Sequence, residues 1–246
     1  MSFNIKIVTA RGVSTMSNVV DDEFENLSIL LVEDDAFMRR VIVQALSNIG
    51  LVNVIKAANG RKALDILENH NIQLLLTDVQ MPVMNGLQLL QQIRCGNSAA
   101  DPKLRTVVIT ALTDAETLGV AIGLDVNGFL TKPFKPVSVI RTIMQALSEE
   151  EIEIRPKSEY QTITTDLELL RVNSGLGNAA IKSELEAKSK AVSIYQLKPG
   201  MLLARDVKGK NGLMLLSAGF IHNKRTIERL NELKTVIAND SFYVEP

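Results

Sequence analysis

Five side chains in this 246-residue sequence are of types that could move a phosphoryl group if one site gathered them: Asp34, Asp35, Asp78, Thr110 and Lys132. Three carboxylates held close together repel one another, and one must take a proton unless a cation enters. A hard divalent ion such as Mg2+ accepts one or two carboxylates and keeps waters that a phosphoryl oxygen can replace. An aspartate can itself be the covalent acceptor. A lysine beside it would neutralise the charge that spreads over the transferring oxygens. The expected roles are therefore Asp78 as phospho-acceptor, Asp34, Asp35 and Asp78 as metal ligands, and Lys132 and Thr110 as partners of the phosphoryl oxygens. No general base is required, because a carboxylate is already ionised at neutral pH. Taken alone, Asp35 reads equally well as the cap of the helix that follows it.

The elements that must position these groups follow a regular rhythm. Ile29 to Val32 is a short apolar run ending on acidic residues, and Leu74 to Thr77 is another that ends on Asp78. Such runs, bounded by turn residues, are the pattern of strands buried on both faces of a parallel sheet. Val52 to Ala57, Thr106 to Thr110 and Phe129 to Thr131 supply three more strands. Between them lie helical stripes: Val41, Ile42, Ala45, Leu46 and Ile49; Ala63, Leu64 and Leu67; Leu87, Leu90 and Ile93; a helix behind a cap at Thr113 and Asp114; and Ile140, Ile143, Met144 and Leu147 behind Pro136. Strands alternating with helices predict an α/β fold, a doubly wound five-stranded parallel sheet. In such sheets the carboxyl ends of the strands face one crevice, and all five candidate side chains sit at those ends.

Composition narrows the class. Hydrophobic residues make up 46% and charged residues 22% of the chain, ordinary values for a globular protein. A formal net charge of -1 offers no bulk attraction to nucleic acid or to an anionic membrane. The single Cys95 excludes an internal disulfide or a multi-cysteine metal site. No apolar run approaches the ~20 residues of a membrane span, and the N-terminus lacks the apolar core of a signal peptide. A cytoplasmic protein is expected.

The acidic pair Asp34 and Asp35, the run from Asp78 through Met81, Pro82 and Asn85 to Gly86, then Thr110 with Ala111, Phe129, and Lys132 with Pro133 occur in an order that closely resembles the receiver domain of bacterial response regulators. The resemblance implies a flavodoxin-like fold and phosphorylation of Asp78 by a histidine kinase or phosphotransfer protein in a Mg2+-dependent reaction. It further implies a switch in which Thr110 moves toward the phosphoryl group as Phe129 turns inward, a cis bond at Lys132–Pro133, and the possibility of a homodimer. Asn85 departs from the aspartate common at its position; since it serves the turn before Gly86, the chemistry is expected to survive.

The organisation expected is a flexible segment over residues 1–26, a receiver over 27–149, a charged linker with marginal helices over 150–192 and a small α+β module over 193–246. In the linker the helix candidates cover Asp166 to Val172 and Asn178 to Lys190, and each has few apolar residues. In the module, Asn211 and Gly212 between two apolar runs signal a hairpin, Asn223 caps a helix bearing Ile227, Leu230 and Leu233, and Phe242 to Val244 forms a last strand. Residues 194–244 resemble the small module that precedes HD-GYP phosphodiesterase domains. The phosphodiesterase itself is not expected, because the two histidines, His70 and His222, are each followed by Asn and not by the Asp of a His-Asp metal pair. Output through an unidentified downstream protein, within cyclic di-GMP signalling, is the expectation. Two others remain open: a DNA-binding output, for which eight Lys and Arg against five Asp and Glu from Ser193 onward give a net of +3 but only one convincing helix, and a phosphate sink.

Overall fold

In a computed structural model of the chain, the residues described are 6–9, 12–15, 27–111, 115–149, 154–168, 189–210, 214–216, 218–235, 237–238 and 241–245. Strands β1 (Lys6–Thr9) and β2 (Gly12–Thr15) pair as an antiparallel hairpin within the segment expected to be a flexible lead-in. Its Ile7, Val8 and Val13 favour strand.

The central sheet contains β3 (Ile29–Val32), β4 (Val54–Ala57), β5 (Leu74–Asp78), β6 (Arg105–Thr110) and β7 (Gly128–Thr131), all parallel, in the order β4-β3-β5-β6-β7. The helices between them are α1 (Ala36–Ser47), α2 (Gly60–Leu67), α3 (Gly86–Arg94), α4 (Ala115–Gly123) and α5 (Pro136–Ser148). Alternation along each strand divides the core. Ile29, Leu31, Leu74, Leu76, Val107 and Ile109 pack with Ile42, Leu46, Val139 and Ile143 of α1 and α5. Leu30, Val32 and Leu75 point the other way, to Ala63, Leu67, Leu89 and Ile93 of α2 and α3. This is the doubly wound sheet expected. One residue of a predicted buried stripe differs: Val41 of α1 is exposed, and Ile42 and Leu46 carry the contact. The predicted cap at Thr113 and Asp114 lies outside the described residues.

Arg94, at the end of α3, is 1% exposed. Its guanidinium donates to the carbonyls of Leu124 (3.0 Å), Pro102 (2.6 Å), Leu104 (3.0 Å) and Asp125 (3.1 Å), tying the loops before β6 and β7 to one point.

Part of the predicted linker is docked. Helix α6 (Lys157–Gln161) lies on α3, with Tyr160 fully buried among Val79, Leu87, Leu90 and Val126. Gln91 Nε2 donates to the carbonyls of Tyr160 and Ile163 (both 2.7 Å), and Asn85 Nδ2 donates to the Thr165 carbonyl (2.9 Å). Too few apolar residues for a helix of its own suffice when the receiving surface supplies the rest. Of the helix candidate at Asn178 to Lys190, only the last two residues are described, and Lys190 opens a strand where a helix end was expected; all but the first residues of the candidate at Asp166 lie outside the described residues.

The C-terminal region comprises β8 (Lys190–Val192), a 3-10 turn (Ile194–Gln196), β9 (Leu202–Leu203), β10 (Val207–Lys208), β11 (Met214–Leu216), α7 (Lys224–Glu232) and β12 (Phe242–Glu245). β8, β12 and β9 form an antiparallel sheet, and β10 pairs with β11 as the hairpin expected; the turn residues Asn211 and Gly212 lie outside the described residues. Asn223 caps α7 by accepting from the Thr226 amide (2.7 Å). The run from Met201 to Val207 divides between two strands. Its apolar residues join Leu118 and Ile122 of α4 in one cluster. Among the described residues, no helix is long and apolar enough to cross a membrane.

Replacing Arg94 with Met removes four donors from buried carbonyls. The expected loss is on the order of 3 kcal/mol, set by the ~1–3 kcal/mol cost of an unsatisfied buried polar group, and the urea midpoint of the full chain measures it.

Candidate functional site

The strand order places β3 and β5 side by side at the point where the connections turn from one face of the sheet to the other, and their carboxyl ends carry the acidic residues. Asp78 closes β5 and is 8% exposed; Glu33, just beyond β3, is 1% exposed. Lys132, just beyond β7, reaches both: its Nζ lies 2.8 Å from Glu33 Oε2 and 3.3 Å from Asp78 Oδ1. The Lys132 amide donates to the Thr110 carbonyl (2.7 Å), which fixes the end of β7 against the end of β6. Thr110 is buried at that end, one register step beyond the residue paired with Asp78. The Lys132–Pro133 bond is cis.

Among the described residues, the acidic group whose ligand oxygens lie within 4.8 Å of one another is Glu33, Asp34 and Asp78. Asp35, predicted as a metal ligand, is not part of it. Its Oδ1 accepts the Met38 amide (2.6 Å) and caps α1, the alternative open to it from the sequence. The acidic pair is thus displaced by one residue, and Glu33 is the member missed. The signal available was its place directly at the end of the strand, hidden by three consecutive acids.

Burial, then the neighbouring Glu33 carboxylate, push Asp78 up to about 6, against the lowering pull of Lys132. Burial works against the Lys132 ammonium, but its hydrogen bond to Glu33 and the charges of Asp78 and Glu33 outweigh that and hold it above its ordinary value. Gly86 brings α3 close: a Cβ there would stand 2.0 Å from the Asp78 carbonyl oxygen. Asn85 caps α3 in a reciprocal capping box with Gln88. Phe129, on β7 opposite Val108, is half-buried between the cluster around Tyr160 and the C-terminal cluster.

The description "response regulator receiver domain" matches residues 29–144. The chain is 35% identical over 111 residues to a chemotaxis protein CheY homolog of Campylobacter jejuni, covering 45% of this chain and 84% of that protein. It belongs to the response regulator receiver family. The Pseudomonas aeruginosa chemotaxis protein CheY is similar at 35% identity, over 44% of this chain and 86% of its own length. The Helicobacter pylori transcriptional regulatory protein CrdR is 34% identical over 54% of this chain and 60% of its own. Among solved structures, Vibrio cholerae CheY4 is 26% identical, with a TM-score of 0.45 over 49% of this chain and 98% of that one. Receivers act in phosphorylation-dependent signalling with histidine kinases or phosphotransfer proteins, and they bind Mg2+ in the active site. Glu33, Asp34 and Asp78 fit such an ion, since the group offers oxygen donors alone.

Three groups outside their ordinary ranges contribute to the acid response, Asp78 and His222 buried and Glu232 partly exposed on α7. Asp78, with a folded value of about 6 against 3.8, binds more protons folded than unfolded, so its contribution favours the fold at low pH and is lost as pH rises through 6. Glu232, raised by burial to about 7, acts in the same sense. His222 is 1% exposed with neither ring nitrogen partnered among the described residues; burial lowers it to about 4, so its contribution weakens folding as pH falls from 6.5 toward 4. The whole-chain curve is therefore a composite, and the difference between Asp78→Asn and the unaltered chain isolates the site. Without Mg2+ at pH 7.5 the variant is expected to be the more stable by on the order of 2 kcal/mol, a margin shrinking toward pH 4. Added Mg2+ should stabilise the unaltered chain at pH 7.5 and leave the variant nearly unchanged, as read by urea unfolding.

Proposed function

We propose that the chain is a phosphorylation-dependent response regulator in which Asp78 takes a phosphoryl group from a histidine kinase or phosphotransfer protein, and the C-terminal part converts that state into contact with a downstream protein. The observation that carries this reading is one ammonium, Lys132 Nζ, within reach of both Asp78 and Glu33 where the strands end.

In the reaction, an Asp78 carboxylate oxygen attacks the phosphorus of the donor's phosphohistidine. A P–O bond forms, the P–N bond breaks, and its electron pair stays on the imidazole nitrogen. At neutral pH, above its value of about 6, Asp78 is mainly ionised and ready to attack. Lys132 offsets the negative charge of the incoming group and then pairs with the phosphorylated product. Glu33 and Asp34, with Asp78, would hold Mg2+, which when bound supplies further positive charge to the phosphoryl oxygens. The Thr110 hydroxyl at the neighbouring strand end is assigned to a phosphoryl oxygen, and Phe129 to reporting the change along β7. Asp35 takes no part beyond capping α1.

The resemblance of residues 194–244 to the module that precedes HD-GYP phosphodiesterase domains supports an output within cyclic di-GMP signalling, exerted by protein contact and not by catalysis.

With a small-molecule phosphodonor and Mg2+, the intact chain is expected to gain one phosphoryl group by mass spectrometry, and Asp78→Asn none. Lys132→Ala should slow uptake by ~10²-fold while Mg2+ binding persists. Capture of a cellular protein that depends on Asp78 completes the test. Duplex-DNA binding with a steep salt slope would replace protein output with a transcriptional one, and rapid phosphoryl turnover with no captured partner would reduce the chain to a phosphate sink.

A further inference from the structure

The receiver is cut on one side by a groove that the chemistry at Asp78 does not use. It lies between α1 and α2, across the end of β4, with a volume of about 920 Å3, the size of a small-molecule site. β4 is the edge strand of the sheet, so among the described residues no further strand covers this floor. Val43, Ala57 and Ile66 make the groove apolar at its base. Its walls carry Arg39, Arg40, Lys56 and Lys62 against the single carboxylate of Asp65.

The positive charge in the groove is uncompensated. Asp65 lies 3.6 Å from Arg61 Nε, so its own charge is already offset. Among the described residues, the side chains of Arg40, Lys56 and Lys62 have neither a hydrogen bond nor an ion pair, and all three are exposed. Like charges gathered along one cleft focus a field that attracts an anion. Arg39 is held differently. Its Nη1 donates to the carbonyls of Glu33 (2.5 Å) and Asp34 (3.2 Å), which fix the guanidinium without cancelling its charge. A cation already fixed loses little further freedom when a ligand arrives.

We propose that this groove binds a nucleotide bearing two or more phosphates, at a site separate from Asp78 and independent of the function proposed above. Three unpaired cations beside Arg39 call for several negative charges on one ligand, more than a carboxylate or a single phosphate brings. The volume is far larger than a phosphate chain fills, and the apolar base suits a flat ring and its ribose. A guanidinium plane stacks on such a ring, a role open to Arg39 and Arg40. An acidic peptide laid along β4 is the rival occupant, but Lys56 on an edge strand works against pairing by another strand. The lining residues include none of Glu33, Asp34, Asp78 and Lys132, so both sites can be filled at once.

The test is titration calorimetry on the full chain in Mg2+-free buffer, with ADP, GDP, AMP, GMP, inorganic pyrophosphate and a glutamate-rich peptide as probes. At least one of ADP and GDP is expected to bind at a single site per chain. It should bind about tenfold more tightly than its monophosphate or pyrophosphate, and more weakly as salt is raised. Arg40→Ala combined with Lys62→Ala should weaken that binding by about tenfold or more, with the urea midpoint of the chain not lowered as the check on folding. Arg39 is left in place, because its removal would loosen the turn of Glu33 and Asp34. Asp78→Asn should bind the diphosphate as the unaltered chain does, so the result stands apart from whether Asp78 takes up a phosphoryl group. No binding of ADP or GDP at millimolar concentration, or binding that survives the paired substitution, would overturn the site. Pyrophosphate bound as tightly as the diphosphate would overturn the nucleotide, and a peptide bound more tightly would overturn it in favour of a protein partner.

Discussion

Carboxylates crowded at the ends of parallel strands cannot all be charged without a counter-ion, and in this chain Lys132 supplies the fixed one. Its ammonium lies between Glu33 and Asp78, two side chains that are nearly out of water. Coulomb repulsion there is strong because the sheet and its helices exclude solvent. One fixed cation against three acids leaves the group short of positive charge. A divalent ion and a phosphoryl group, which arrive together in the chemistry assigned to Asp78, exchange that imbalance for another. The site thus differs electrically between its states, and a difference of that kind can be transmitted.

Transmission requires an element that is stiff and touches both ends. β7 is of that kind: it is short, paired along β6 and pinned at each end. The Lys132 amide to Thr110 carbonyl bond holds one end, and Asn127 holds the other by exchanging hydrogen bonds with the Thr106 backbone (2.8 Å each way). Between them Phe129 is held by two hydrophobic clusters at once. A residue shared by two clusters cannot move without loosening one, and packed interiors respond to such a demand in steps.

The receiver was legible because its signals are local. Five short apolar runs, their turn residues and the helical stripes specify the sheet, and a strand end specifies where a carboxylate points. The error at Asp35 arose where local signals coincide: three acids in a row offer two candidate pairs, and only the exit angle of the chain decides that the third turns back to the Met38 amide. Glu33 was missed for the same reason. Arg94 and His222 gave no sign at all, since the burial of each is set by residues distant in sequence: four carbonyls satisfy Arg94, while neither ring nitrogen of His222 has a partner among the described residues. The docked part of the linker was hidden similarly. Asn85 reads as a turn residue, but its amide also donates to the Thr165 carbonyl, a partner 80 residues away that no local pattern announces.

The C-terminal region, expected from the sequence to be a small α+β module, does not supply its core alone. Small domains bury too little surface to be secure alone. Here the deficit is met by Leu118, Ile122 and Phe129, receiver residues that complete the cluster formed by Leu203, Leu215, Leu230 and Phe242. Folding of the region and docking on the receiver are therefore coupled. The same face of the receiver lends both kinds of support: Phe129 packs against the C-terminal cluster and the one around Tyr160, while Arg225 Nε and Arg229 Nη2 donate to Glu149 at the end of α5.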